Sequence, residues 1–186
     1  MSRTPSNMVS LGTKAPKFNL LDVTTDLDKS LDQLKGKKGT VIMFICNHCP
    51  YVKHVNTAIV ETAKKYQQAE IKFIAISSND VLNYPEDSPE LMKENAIEYG
   101  FCFPYLYDET QQTAIDYDAA CTPDFYVYNF DLELVYRGQL DDSRPGNNLP
   151  CDGNDLSHAL NCLITNKVNE KLQKPSIGCN IKWKTS

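Results

Sequence analysis

The chain has 186 residues, of which 41% are apolar and 23% are charged, and this balance is typical of a globular domain with a full hydrophobic core. Its net charge of −5 argues against nucleic acid or an anionic membrane as a partner, since both favour a basic face. No stretch is long and apolar enough to span a bilayer, and the N-terminal segment lacks the apolar region of a secretory signal. We therefore expect one domain over residues 1–186, located in the cytoplasm.

Predicted strands and helices alternate along the first half of the chain. Residues 15–23 and Ile71–Ser77 favour strands, and residues 40–45 form a continuous apolar run that is typical of a strand buried on both faces. After this run, apolar residues at steps of three and four predict an amphipathic helix: Val52, Val55, Ile59, Ala63 and Tyr66. This alternation indicates an α/β architecture.

The second half of the chain continues with helices and then a predicted hairpin. Ser88 can cap a helix that runs to about Tyr99, before Gly100. The remaining predicted elements are a strand at 103–108, a helix at 110–118, a hairpin of strands 124–130 and 132–138, a loop at 141–155, a helix at 156–168 and an irregular tail. The hairpin adds antiparallel strands, so we expect a mixed central sheet with helices on both faces.

A Cys-x-x-Cys pair, Cys46 and Cys49, lies between the buried strand and the amphipathic helix, in the stretch "FICNHCPYVKHV". A zinc site, a structural disulfide and a redox centre are the alternatives. Zinc usually takes four ligands, and His54 is the one further candidate nearby. A static disulfide is uncommon in a cytosolic protein. The position of the pair therefore favours redox chemistry and no metal.

The two cysteines are expected to have different roles. If the helix begins near His48, Cys46 stands at its N-terminus, where unpaired N–H groups and the helix dipole stabilise a thiolate. Cys46 would then be the exposed attacking thiol, and Cys49, one turn further in, would keep its proton and act second. His48 would place positive charge beside Cys46 and make the disulfide more oxidising.

Several segments resemble a known family. The pair, the Thr122-Pro123 dipeptide of "CTPDFYVYN" and the opening "LGTKAPKFNLLDV" are similar to thioredoxin-like redoxins of the AhpC/TSA type. The resemblance implies a thioredoxin-like fold with an N-terminal extension and a helix inserted between the pair and the proline. It also implies that Pro123 is cis and faces the disulfide, and that the backbone of Thr122 pairs with an extended substrate.

Further residues are candidates for supporting roles. Thr40 stands where thioredoxin has a buried aspartate, so Asp80 is the candidate proton acceptor for Cys49, or else it caps the following turn. Cys121, beside Thr122, and Cys179, in the tail, are possible additional redox thiols, although packing is the alternative for both.

These observations predict a thiol–disulfide oxidoreductase with a role in redox homeostasis, without a cofactor. Its expected partners are a disulfide-containing protein or small-thiol substrate and an electron donor. A peroxiredoxin-like peroxidase is the alternative, although Cys46 and Ile42 replace the threonine and proline of the peroxiredoxin pattern when Cys49 is aligned with its reactive cysteine. A non-catalytic domain that binds metal or a partner is the third hypothesis.

Overall fold

Ten strands and five α-helices are present in residues 3–185, the part of the chain that the computed structural model describes. The strands are β1 (Arg3–Pro5), β2 (Asn19–Asp22), β3 (Leu27–Ser30), β4 (Gly39–Phe44), β5 (Ile71–Ser77), β6 (Tyr105–Tyr107), β7 (Cys121–Thr122), β8 (Asp124–Asn129), β9 (Leu134–Gly138) and β10 (Ile177–Asn180). The helices are α1 (Leu31–Leu34), α2 (Pro50–Gln67), α3 (Pro89–Tyr99), α4 (Gln112–Asp116) and α5 (Asn154–Ile164). No helix in this described part is long and apolar enough to cross a membrane.

Seven strands form a mixed sheet in the order β3-β2-β6-β5-β4-β8-β9. β4 lies inside the sheet, where it runs parallel to β5 and antiparallel to β8. All six of its residues are buried, which explains why its sequence is a continuous apolar run rather than an alternating one. The predicted mixed sheet and the predicted hairpin, β8–β9, are both confirmed.

Two hydrophobic cores lie on opposite sides of this sheet. The first is built on α2, α3 and α5 and also contains the Cys-x-x-Cys pair. The second contains residues of α1 and α4 and a group of aromatic rings. Helices therefore cover both faces, as the sequence predicts.

The helix ends follow ordinary capping rules. Ser88 accepts a hydrogen bond from the backbone N–H of Leu91 at 3.4 Å, and Gly100 ends α3 with φ 65°, so both predicted ends of this helix are confirmed. The first helix after β4 begins at Pro50 rather than near His48. Residues 110–118 and 156–168 contain shorter helices than their patterns predict, because α4 and α5 end at Asp116 and Ile164.

The C-terminal tail is not irregular, and that expectation is wrong. Its strand β10 lies between β1 and β7 in a second sheet of three antiparallel strands. Such a strand depends on partners that are distant in sequence, and four residues are too few to show a period. The tail thereby reaches the Cys-x-x-Cys pair.

Candidate active site

The loop between β4 and α2 carries both cysteines of the pair. β4 ends at Phe44 and α2 begins at Pro50, so Cys46 lies inside the loop and Cys49 is the cap residue before the first helical turn. The expectation that Cys46 occupies the helix N-terminus is therefore wrong, because the helix begins later and Cys49 lies nearer its unpaired N–H groups. Cys46 is also not exposed, since 1% of its surface and none of that of Cys49 is accessible.

Thr122 contacts the sulfur atoms of both cysteines. The Sγ of Cys46 lies 3.3 Å from the Thr122 hydroxyl, and the thiol of Cys49 donates to the Thr122 carbonyl at 3.3 Å. The peptide bond between Thr122 and Pro123 is cis, as the resemblance implies. The structure thus brings together the two sequence motifs, which lie far apart along the chain.

A third sulfur atom lies against the pair. The Sγ of Cys179, on β10, is 2.9 Å from the Sγ of Cys49. All three cysteines are reduced thiols and all three are buried. The thiol of Cys46 also shares a hydrogen bond with that of Cys49, so Cys49 is the middle sulfur of a group of three. We call Cys46, Cys49 and Cys179 the thiol cluster.

The hydrogen bonds within the thiol cluster favour a thiolate on Cys49. Hydrogen bonds with Cys46, and then with Cys179 and the backbone of Val52, outweigh burial and lower the pKa of Cys49 to about 5. Burial and the shared hydrogen bond with Cys49 raise the pKa of Cys46 well above its usual value. The hydrogen bonds within the thiol cluster thus lower the pKa of Cys49 and raise the pKa values of Cys46 and Cys179.

We expect the thiolate absorbance of the reduced protein to titrate with a midpoint of about 5 and to lose this transition in Cys49→Ser. Because the folded pKa lies below the usual thiol value of about 8.5, the stability that this thiolate contributes is fully present above that value and is lost as the pH falls through the folded pKa. Ultraviolet titration and denaturant unfolding across this range measure both effects. A transition that survives in Cys49→Ser but disappears in Cys46→Ser would assign the thiolate to Cys46.

A buried carboxylate that the sequence did not single out organises the loop of the pair. Asp87 lies in a 3₁₀ turn at Pro85–Asp87 and is fully buried. Its Oδ1 accepts the backbone N–H groups of Asn47 at 2.7 Å and His48 at 3.2 Å. Its Oδ2 accepts the side-chain amide of Asn79 at 2.8 Å and lies 2.6 Å from Nδ1 of His48. The segment between β5 and β6, which carries the inserted helix α3, therefore holds the loop of the cysteine pair in place.

Each partner of the His48–Asp87 pair favours the charged form of the other. The hydrogen bond to Asp87 raises the pKa of His48. Burial alone would raise the pKa of Asp87, but the hydrogen bonds from His48 and Asn79 hold it below its usual value. The His48 ring also stacks on Tyr84, with 5.4 Å between the ring centroids. His48 thus lies beside the cysteines, where the sequence places it.

Asp80, the residue expected to accept a proton from Cys49, serves a different purpose in the structure. Its Oδ1 accepts the backbone N–H of Leu82 at 3.1 Å, and its Oδ2 accepts the side-chain amide of Asn83 at 2.6 Å. It therefore caps the turn that follows β5, which was the alternative interpretation. Asp87, seven positions later, is the carboxylate that lies near the pair.

The other cysteines are not part of the thiol cluster. Cys121 is buried on β7, and its thiol points to the carbonyl of Pro123 at 3.9 Å. Burial raises the pKa of this thiol, so it is held as a neutral group. Three further cysteines are half-buried on other segments: Cys102, Cys151 and Cys162.

One group of possible metal ligands occurs in residues 3–185, and it coincides with the site. Ligand atoms of Cys46, His48 and Asp87 lie within 4.8 Å of one another. Zinc sites usually have four ligands when structural, and here the His48 nitrogen and the Asp87 oxygen are bonded to each other. His54, the expected further ligand, instead contacts the Ser143 hydroxyl at 2.5 Å. The arrangement fits an ion pair better than a metal centre.

Comparisons with known proteins agree with this architecture. An uncharacterized conserved protein from Geobacillus kaustophilus is 55% identical, with a TM-score of 0.97 over 100% of this chain and 98% of that one. A hypothetical protein from Sinorhizobium meliloti 1021 is 40% identical, with a TM-score of 0.95 over 98% and 100%. The thioredoxin domain of a thiol-disulfide oxidoreductase from Bacteroides vulgatus, at 15% identity, has a TM-score of 0.62 over 81% and 97% and shows the fold.

No curated protein matches the chain at a significant level. The sequence of residues 11–137 matches a family of redox proteins and includes the Cys-x-x-Cys pair and the Thr122-Pro123 element. This match spans more than half of the chain, and the thioredoxin-like fold agrees with it. The chain therefore belongs to the AhpC/TSA family.

Proposed function

We propose that the protein is a thiol–disulfide oxidoreductase that cycles between the dithiol and the disulfide of Cys46 and Cys49. The observation that supports this is the contact of both free thiols with Thr122, next to the cis Pro123. Two hydrogen-bonded thiols beside such a proline form the arrangement that exchanges disulfides in thioredoxin-like proteins. The substrate we propose is a disulfide in a protein or a small molecule.

In the proposed reaction the thiolate of Cys49 attacks one sulfur of the substrate disulfide, and the other substrate sulfur leaves as a thiolate. Cys46 then attacks the Cys49 sulfur of the mixed disulfide, forms the Cys46–Cys49 bond and releases the second substrate thiolate. The substrate gains two electrons and takes up two protons, while the protein loses the same number. A dithiol electron donor restores the reduced pair.

The second step requires Cys46 to lose a proton that burial makes it hold tightly. The second substrate thiolate, which leaves in this step, takes up that proton, and the His48–Asp87 pair lies beside the reacting sulfur, with ligand atoms within 4.8 Å of the Cys46 sulfur. Both side chains are held by the same loop as the cysteines. We therefore assign to this pair a positioning role at Cys46, and the proton acceptor that the sequence placed on Asp80 is the departing substrate sulfur.

A thiol peroxidase is the second candidate, and the low pKa of Cys49 at the start of α2 favours it. In that reaction the Cys49 thiolate attacks one peroxide oxygen, becomes a sulfenic acid and releases the other oxygen as water or an alcohol. Cys46 then forms the disulfide and releases water. Both candidates use the same two cysteines and differ in the bond that Cys49 attacks.

Two assays on the same preparation distinguish these candidates. We expect the protein to reduce insulin disulfides with dithiothreitol as the electron donor, and to consume hydrogen peroxide more slowly than it turns over insulin at equal substrate concentration. The matched control is Cys162→Ser, which changes a half-buried thiol on α5 and should leave both rates unchanged. Peroxide turnover without insulin reduction would replace the oxidoreductase proposal with the peroxidase.

A further inference from the structure

Strand β10 occupies the edge of β7 that a substrate would need. Cys179 pairs with Thr122, and Asn180 pairs with Cys121, in an antiparallel register. In thioredoxin-like proteins the residue before the cis proline uses its backbone to pair with an extended substrate. The tail of this chain therefore lies where a substrate strand would lie, and it presents a cysteine to the pair.

A glycine permits this close approach. A Cβ atom added at Gly178 would lie 1.9 Å from the carbonyl oxygen of Thr122 and 2.6 Å from its carbonyl carbon. Any other residue at position 178 would therefore push β10 away from β7. Gly178 precedes Cys179 directly, so its small size sets the distance between the Cys179 and Cys49 sulfurs.

Contacts on both sides of the cysteine hold the tail in place. On one side β10 pairs with β1, where Arg3 lies opposite Cys179. On the other side the backbone N–H of Lys182 donates to the Asn79 side chain at 2.8 Å. The backbone carbonyl of Lys182 accepts the N–H of Asp80 at 2.8 Å. Cys179 is 2% exposed as a result. A sulfur held this firmly beside Cys49 is well placed to react with it.

We propose that Cys179 is a third redox thiol, which takes the disulfide over from Cys46 by exchange at the Cys49 sulfur. The thiolate of Cys179 attacks Cys49 within the Cys46–Cys49 disulfide, the Cys49–Cys179 bond forms, and Cys46 leaves as a thiolate that takes up the proton given up by Cys179. The oxidation state of the protein does not change. This inference rests on the proposed function, because it begins from the Cys46–Cys49 disulfide.

The electrostatics of the cluster favour the exchange after oxidation rather than before it. In the reduced protein, burial and then the hydrogen bond with Cys49 raise the pKa of Cys179 to about 12. Once Cys49 is part of a disulfide, its negative charge is gone and that second cause disappears. Cys179 then becomes a stronger acid at the stage where its thiolate has a disulfide to attack. The exchange leaves Cys46 free for another reaction.

Disulfide mapping tests this directly. Trypsin leaves Cys46 and Cys49 on one peptide that ends at Lys53, and Cys179 on another that ends at Lys182. The protein is oxidised in glutathione buffers, quenched in acid and alkylated, and linked peptides are then quantified by mass spectrometry. We expect the wild type to contain both the internal link and the link between peptides.

Variants separate this inference from the proposed function. In Cys46→Ser, nearly all oxidised protein should carry the link between peptides, and in Cys179→Ser only the internal link should form. Cys121→Ser, a buried cysteine on the strand that pairs with β10, is the matched control and should resemble the wild type. The internal link alone in the wild type, together with no link between peptides in Cys46→Ser, overturns the inference and leaves the oxidoreductase intact. Absence of the internal link in Cys179→Ser overturns both.

Gly178→Ala tests the geometry while keeping every sulfur. The added methyl group should move Cys179 away from Cys49 and reduce the ratio of the link between peptides to the internal link about tenfold, which corresponds to about 1.4 kcal/mol. The internal link should still form in this variant, because both Cys46 and Cys49 are kept. Thermal unfolding confirms that the measurement is made on folded protein. An unchanged ratio would show that the approach of β10 does not control the exchange.

Discussion

Cys49→Ser should reduce the rate of insulin reduction to the background of the assay and leave no disulfide within the thiol cluster. The reason is geometric, because Cys49 is the sulfur that both Cys46 and Cys179 contact. By contrast, Cys46→Ser and Cys179→Ser each leave one pair able to form. The measurement is the insulin rate together with a count of free thiols after mild oxidation.

Serine is close in size to cysteine, so the loss in Cys49→Ser should not come from unfolding, and thermal unfolding of the reduced proteins checks this. The double variant Cys46→Ser/Cys179→Ser provides a further contrast, because it keeps Cys49 alone and should accumulate a mixed disulfide with its substrate. A disulfide between Cys46 and Cys179 in Cys49→Ser would contradict the arrangement, since it would require these two sulfurs to meet without the middle one.

Asp87→Ala should lower the free energy of unfolding by about 3–5 kcal/mol, because it leaves one partner of a buried ion pair and three donors without an acceptor. It should also lower the pKa of His48, whose hydrogen bond to Asp87 raises that value. Insulin reduction should fall as well, since the loop of the cysteine pair loses its support. Urea unfolding, the imidazole NMR titration and the insulin assay measure the three effects.

The loss of stability in Asp87→Ala depends on pH, because folding lowers the pKa of Asp87 and raises that of His48. The lowered pKa of Asp87 contributes stability above the unfolded value of about 3.9, and this stability is lost as the pH falls through the folded pKa. The raised pKa of His48 contributes stability below the unfolded value of about 6.5, and it is lost as the pH rises through the folded pKa. The variant should therefore differ most from the wild type between about pH 4 and 6.5.

Asp80→Ala is the matched control for Asp87→Ala. Both carboxylates are buried and lie in the same inserted segment, but Asp80 caps a turn and contacts neither cysteine through its hydrogen bonds. Its removal should cost about 0.5–2 kcal/mol, as the loss of a cap does, without changing the pKa of His48. Equal effects of the two substitutions on His48 would contradict the role of Asp87.

The sequence was most informative where the chemistry depends on short motifs. A buried strand, the Cys-x-x-Cys pair and a helix follow one another within one local unit, and the Thr122-Pro123 dipeptide has a recognisable setting. These features predict the fold and the place of the site. The start of α2 was misjudged by about two residues, and this small error placed Cys46 at the helix N-terminus, although Cys49 is the cap residue nearest the unpaired N–H groups.

The remaining parts of the site depend on contacts between distant segments. Asp87 stands in the polar stretch "PEDSPE", which has the composition of an exposed turn, and nothing local shows that its carboxylate is buried. The tail strand is equally hard to predict from the sequence, because β10 is four residues long and depends on pairing with β1 and β7. A signal for it did exist in Gly178 directly before Cys179, although only the position of Thr122 explains that glycine.

The alternation of side chains along β4 has a consequence for how the protein can diverge. Val41, Met43 and Ile45 point to the core that holds the cysteines, whereas Ile42 and Phe44 point to the aromatic core on the other side of the sheet. We therefore expect replacements in the aromatic core to change thermal stability more than the redox potential. Related proteins that adapt to different temperatures can therefore vary in the aromatic core, because the sheet separates that core from the cysteines.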